Sequence, residues 1–147
     1  KSVELGVDSI TPLWTKRSQV QLRGSRLEKR LSHWHGVIRS ACEQSGRVYL
    51  PKLHAATGLQ NWYSDDADPS LQLVFDPTAT LQLSDLSPEK MIRILVGPEG
   101  GLESQEISSA EDNGFMRVRL GPRTLRTETA ALASLAAVQT LWGDLSG

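Results

Sequence analysis

Residues 91–96 (MIRILV) are an apolar run of strand length, and the chain passes from them into Gly97-Pro98-Glu99-Gly100-Gly101 and then into a helical segment. That junction constrains the fold more than any other feature. An apolar run bounded by turn residues reads as a buried strand, and Leu71–Phe75 (LQLVF), closed by Asp76-Pro77, repeats the pattern. Residues 103–113 read as a helix that opens with acidic side chains, complementing its dipole, and stops at Gly114. Residues 115–120 (FMRVRL) alternate as another strand, and Thr127–Trp142 reads as a last helix. This alternation predicts an α/β fold, a mostly parallel sheet with helices on both faces. Ligands of such sheets bind beyond the carboxyl ends of the strands, so the chemistry is expected in the post-strand loops.

The front half is organised differently. Residues 9–15 (SITPLWT) read as a short strand, with Pro12 arguing for an edge or an irregular end. Over residues 25–45, Leu27, Leu31, Trp34, Ile38, Ala41 and Cys42 recur at spacings of three and four, an amphipathic helix stopped by Gly46. Lys29, Arg30, His33 and Arg39 lie largely off that stripe, and the acidic, turn-rich residues 61–70 read as a connecting loop. The net charge of −1 conceals a segregation, because residues 14–54 carry nine Lys/Arg against two Glu and leave the acidic excess to the rest. Such a block is the footprint of an anionic partner, although a solvated helix face gives the same pattern.

With 147 residues, 39% of them hydrophobic, the chain has one domain's worth of sequence and should bury roughly 70% of its unfolded surface. The longest apolar stretch, 130–142, is interrupted by Ser134, Gln139 and Thr140 and falls short of a bilayer span of about 20 residues, so no membrane segment is expected. The single cysteine, Cys42, permits no internal disulfide, and KSVELGV lacks the charged and apolar regions of an export signal, so the expected location is cytoplasmic. The chain opens without an initiator Met, which reads as the truncated front of a longer domain. His33, His35 and His54 have no partners at ligand spacing, and no metal site is expected.

Two loops carry the chemical signal. The first, 97–101, holds three glycines in five residues, which permits close backbone approach to a ligand or is turn geometry alone. It is neither a P-loop nor a dinucleotide fingerprint. The second, 120–130 (LGPRTLRTETA), crowds two arginines, a glutamate and two hydroxyl residues other than Thr124 at a helix N-terminus. Thr127 is explained as an N-cap. Arg123 and Arg126 are not, since cations are disfavoured at the positive end of a helix dipole.

LVGPEGGLESQEI followed by RVRLGPRTLRTETAALASLAAVQ, with KSVELGV, ITPLWTKRS and ACEQSGR upstream, closely resembles the catalytic domain of RsmE-type enzymes, the 16S rRNA (uracil-N3) methyltransferases of the SPOUT superfamily. The resemblance covers essentially the whole chain. It implies a SPOUT methyltransferase domain over residues 1–147, with the start of that domain and an N-terminal RNA-binding barrel absent from the chain. It further implies a deep C-terminal trefoil knot, an S-adenosylmethionine (SAM) site in the knotted loops, an obligate homodimer, and 16S rRNA in the 30S subunit as partner. By the same resemblance Gly97, Pro98, Gly100, Gly101, Leu120, Leu125, Arg126, Thr127, Thr129 and Ala130 hold SAM. Arg126 is expected to stabilise negative charge on the uracil, and either Glu128 or Glu99 to take the N3 proton or orient Arg126. Lys16, Arg17, Arg23, Arg30 and Arg39 are the candidate RNA contacts. Glu103 stands where the family usually carries a small hydroxyl residue.

The small residues Ala130, Ala131, Ala133, Ser134, Ala136 and Ala137 suit close backbone packing in a knot or at a two-fold interface, and also simple helix propensity. Trp34 and Trp142 are expected as core or interface anchors. Two other functions compete: an RNA-binding or ribosome-assembly factor that keeps the fold without catalysis, and a nucleotide-phosphate binder that uses the glycine loop.

Overall fold

Alternation along β5 (Leu71–Phe75) decides how the sheet is covered. Val74 faces one side, in a cluster with Leu59, Trp62, Leu95, Ala110 and Phe115. Leu71 and Leu73 face the other, with Leu83 and Val118, against Ala137, Val138 and Trp142. In this computed structural model, residues 1–19, 22–64 and 71–147 are described. β5 pairs in parallel with β6 (Ile92–Leu95) on one side and with β7 (Met116–Val118) on the other, giving the order β6-β5-β7. α2 (Leu59–Tyr63) and α3 (Ser104–Asp112) supply the first cluster, and α4 (Thr127–Trp142) packs on the second.

The strand expected over 9–15 is two strands. β1 (Ser9–Ile10) pairs in parallel with β3 (Lys52–Leu53), and β2 (Leu13–Trp14) with β4 (Thr57–Gly58). Pro12 separates them; it has no N–H to donate, and its carbonyl accepts from the Thr57 amide at 3.1 Å. α1 (Gly24–Ser45) matches the expected helix to within a residue and ends at Gly46. Among the described residues its C-terminal half is the more deeply buried: Ile38 and Cys42 are buried with Val3, whereas Leu27, Leu31 and Trp34 are half-buried. The connecting loop expected over 61–70 begins in the last turn of α2, and its residues 65–70 lie outside the described residues.

Glu103 is the N-cap of α3 and forms a reciprocal capping box with Glu106, whose Oε2 accepts from the Glu103 amide at 2.9 Å. A glutamate thus does the work of a hydroxyl cap there. Tyr63 donates to the Glu106 carbonyl oxygen at 3.4 Å, and burial, with the Glu106 charge behind it, pushes the phenol up to about 12. At the start of α4 the N-cap is Arg126 rather than Thr127, which is the first helical residue. The Arg126 backbone is extended, at φ −65° and ψ 156°, and the Arg126 side chain makes no capping hydrogen bond.

Candidate active site

Parallel pairing brings the ends of β5, β6 and β7 to one edge, and the chain leaving each strand walls a cavity of about 370 Å³. Phe75, Asp76 and Pro77 leave β5. Val96 through Leu102 leave β6, and Leu120, Arg123, Thr124, Leu125, Thr127 and Ala130 lie where the chain passes from β7 into α4. This is the position that the sheet topology assigns to a ligand, and the volume lies in the range of small-molecule sites.

Of the residues expected to hold SAM, Gly97, Pro98, Gly100, Gly101, Leu120, Leu125, Thr127 and Ala130 line this cavity, and Glu99 lines it too. Arg126, Glu128 and Thr129 are exposed and are not among its lining residues, whereas Arg123 and Thr124 are. Sequence reasoning overlooked the wall from β5. Asp76-Pro77 was legible as a turn after an apolar strand, and the rule that pointed to the other two loops applies equally to this one.

The loop after β6 explains its glycines individually. Gly101 sits at φ +72°, a backbone conformation that side-chain-bearing residues rarely adopt, and its amide donates to the Pro98 carbonyl at 2.8 Å. A Cβ at Gly97 would lie 3.0 Å from Leu102 Cγ and 3.1 Å from the Leu102 amide nitrogen. The loop therefore folds tightly back on the residue that leads into α3.

Asp76 is buried, and its carboxylate accepts from Arg117 Nη2 at 2.7 Å and from the Thr78 amide and hydroxyl at 2.8 Å each. Burial alone would raise this carboxyl. The Thr78 and Arg117 donors outweigh it and hold the group below its ordinary value, so it is ionised at neutral pH. The β5 wall of the cavity is thereby fastened to β7.

The candidate RNA residues do not form one surface. Successive helix residues turn by about 100°, so Arg26, Lys29, Arg30 and His33 share one face of α1, while Arg39 lies about 180° from Arg30. All of these are exposed, as are Lys16 and Arg23. Arg17 is engaged elsewhere: its Nη1 donates to the Gly100 carbonyl at 2.8 Å, and its Nε lies 3.9 Å from Glu103 Oε1. Among the described residues no group of three or more His, Cys, Asp or Glu is placed to hold a metal, and no helix is long and apolar enough to cross a membrane.

A second cavity, of about 480 Å³, is lined by β6, the β1–β2 segment and Ala131 and Leu135 of α4. Val96, Gly97, Pro98 and Thr127 line both cavities.

A family model described as RNA methyltransferase domain matches residues 1–139. The Ribosomal RNA small subunit methyltransferase E of Buchnera aphidicola subsp. Schizaphis graminum is 39% identical over 148 residues, covering 99% of this chain and 60% of that protein. A Ribosomal RNA small subunit methyltransferase E from Neisseria gonorrhoeae, crystallised bound to S-adenosyl methionine, superposes with a TM-score of 0.90 at 45% identity, over 98% of this chain and 60% of the other. A Legionella pneumophila protein solved in complex with SAM superposes with a TM-score of 0.92 at 37% identity, over 96% of this chain and 58% of the other. The chain thus spans about three-fifths of the length of these relatives.

Proposed function

The chain belongs to the RNA methyltransferase domain family, and from that premise we propose that it methylates N3 of a uridine in small-subunit rRNA, using SAM held in the cavity beyond β5, β6 and β7. One observation carries the reading: the two loops singled out by resemblance, 97–101 and 120–130, wall a single cavity at the carboxyl edge of a parallel sheet.

The residues present fit SAM. Phe75, Leu102, Ile107, Leu120 and Leu125 offer apolar surface to an adenine, and the glycine loop 97–101 brings backbone donors and acceptors to the same cavity. Bound SAM supplies an electrophilic methyl group on a sulfonium. The protein's share is positioning and charge. N3 of uracil carries a proton at neutral pH and lies on the Watson–Crick edge, so the base must be unpaired or flipped to be reached. The Arg126 guanidinium, exposed at the N-cap of α4, donates to O2 or O4 as negative charge develops on the ring. The acceptor of the N3 proton is Glu99, which lines the cavity, or Glu128, in the first turn of α4. The exposed basic face of α1 holds the rRNA backbone.

The proposal extends to a homodimer in the cytoplasm and to a C-terminal trefoil knot. α4 supports the dimer: apart from Ser134 its residues are half-buried or exposed despite their apolar character, leaving surface for a second copy to cover. Thr127 supports the knot, because the start of α4 lines the same two cavities as Val96, Gly97 and Pro98 of the segment leaving β6.

Mass spectrometry of 16S rRNA after incubation of 30S subunits with SAM and the protein tests the reading. N3-methyluridine is expected at one site, and Arg126→Ala should lower its formation by about 100-fold or more with an unchanged melting temperature. Full activity in that variant removes the arginine role. The position of Arg126 and Glu128 outside the cavity favours a second reading, an RNA-binding or assembly factor without catalysis. That reading gains if SAM fails to raise the melting temperature, as a ligand of the folded state must.

A further inference from the structure

Arg17 lies in a basic segment and its side chain is 51% exposed, yet its guanidinium is held by protein contacts, the Gly100 carbonyl and the Glu103 carboxylate. The turn that carries it is closed by two hydrogen bonds: the Ser18 amide donates to the Thr15 carbonyl at 3.2 Å, and the Thr15 amide donates to Ser18 Oγ at 3.1 Å. The adjoining Lys16 amide donates to Glu106 Oε1 at 2.9 Å, while Oε2 of the same carboxylate caps α3. Both oxygens of Glu106 are therefore occupied in tying the 15–18 turn to the start of α3.

Gly100 supplies an independent observation. Unlike Gly101, it does not occupy the left-handed region, so its backbone does not call for glycine. A Cβ there would lie 3.2 Å from Arg17 Cβ and 3.4 Å from Arg17 Cδ. What Gly100 accommodates is the stem of Arg17, laid flat across the loop while its Nη1 binds the Gly100 carbonyl and its Nε faces Glu103.

We propose that Arg17 is a positioning residue for the cofactor loop: it clamps residues 97–101 in the conformation that receives SAM, and it is not an rRNA phosphate contact. The choice of SAM as ligand rests on the proposed function; the clamp itself does not. The planar fork of the guanidinium holds Nη1 on the Gly100 carbonyl while Nε faces Glu103, and a lysine ammonium, a point charge on a flexible stem, does not reproduce that fixed geometry. Arg17→Lys therefore keeps the charge that a phosphate needs and loses the clamp.

Amide hydrogen exchange of the ligand-free protein, SAM titration calorimetry, and the salt dependence of binding to a labelled oligouridine form the test, with wild type, Arg17→Lys and Arg17→Ala compared. Both variants should exchange faster by about tenfold at residues 97–101 and bind SAM about tenfold more weakly, with the salt slope for oligouridine unchanged. Unchanged loop exchange in Arg17→Ala overturns the clamp. A salt slope that falls by about one in Arg17→Ala and returns in Arg17→Lys assigns the residue to a phosphate and overturns it equally. If wild type binds no SAM, the proposed function fails while the exchange data still decide the clamp.

Discussion

Replacing Asp76 by Asn isolates what one charge does for the β5 wall of the cavity. The amide oxygen can still accept from the Thr78 amide. The negative charge is lost, and Arg117 Nη2, now 2.7 Å from the carboxylate, is left with a weaker acceptor or a facing donor. Removing one partner of a fully buried ion pair costs roughly 3–5 kcal/mol. The Arg117 side chain is 34% exposed, so the pair is only partly buried and the expected loss is about 2–3 kcal/mol. For a domain of this size that lowers the melting temperature by about 5–10 °C. Circular dichroism melts of wild type and Asp76→Asn between pH 3 and pH 8, interpreted with about 3.8 as the unfolded pKa, provide the assay. The folded carboxyl lies below that value, so the wild-type advantage is complete above it and disappears as pH falls through the folded value. A constant gap at neutral pH that narrows in acid is the expected result. A gap under about 0.5 kcal/mol at pH 7, the size of an ordinary surface substitution, or one that persists unchanged in acid, refutes the argument that the charge holds this wall.

Gly97→Ala places a Cβ 3.0 Å from Leu102 Cγ and 3.1 Å from its backbone nitrogen; SAM affinity should fall by about tenfold or more as the loop shifts, measured by calorimetry. Arg26, Lys29 and Arg30 replaced together by Ala should lower the salt slope for single-stranded RNA by about two, at roughly 0.7 per neutralised phosphate, while Arg39→Ala, on the opposite face of α1, leaves it unchanged in fluorescence anisotropy titrations.

What could be read in advance was what repeats locally. The 3–4 spacing of Leu27, Leu31, Trp34, Ile38 and Cys42 identifies α1, and apolar runs identify β5 and β6. Two-residue strands at Ser9–Ile10 and Leu13–Trp14 owe their existence to partners some forty positions away, about which no local period speaks. α2 is five residues long, too short for a helical period to register. Arg17 and Gly100 are 83 positions apart, so their contact was invisible. Within 120–130 the residues were identifiable as a site, but which side chains face inward was not: Arg123 and Thr124 line the cavity where Arg126 and Thr129 had been expected, because an irregular loop has no period to set its phase. Asp76 needed the strand order, since only β5 lying between β6 and β7 makes its loop the middle wall.

That strand order also dictates when a ligand-competent protein exists during folding. β6 and β7 meet only through β5, so the walls come together only after two separate non-local pairings have closed, Leu71 onto Ile92 and Leu73 onto Met116. Parallel pairings of this kind are entropically late, because the loop between partners must be ordered before the contact rewards it. In refolding experiments, helix content and hydrophobic collapse are therefore expected to precede the cavity, with SAM capture the last signal to return.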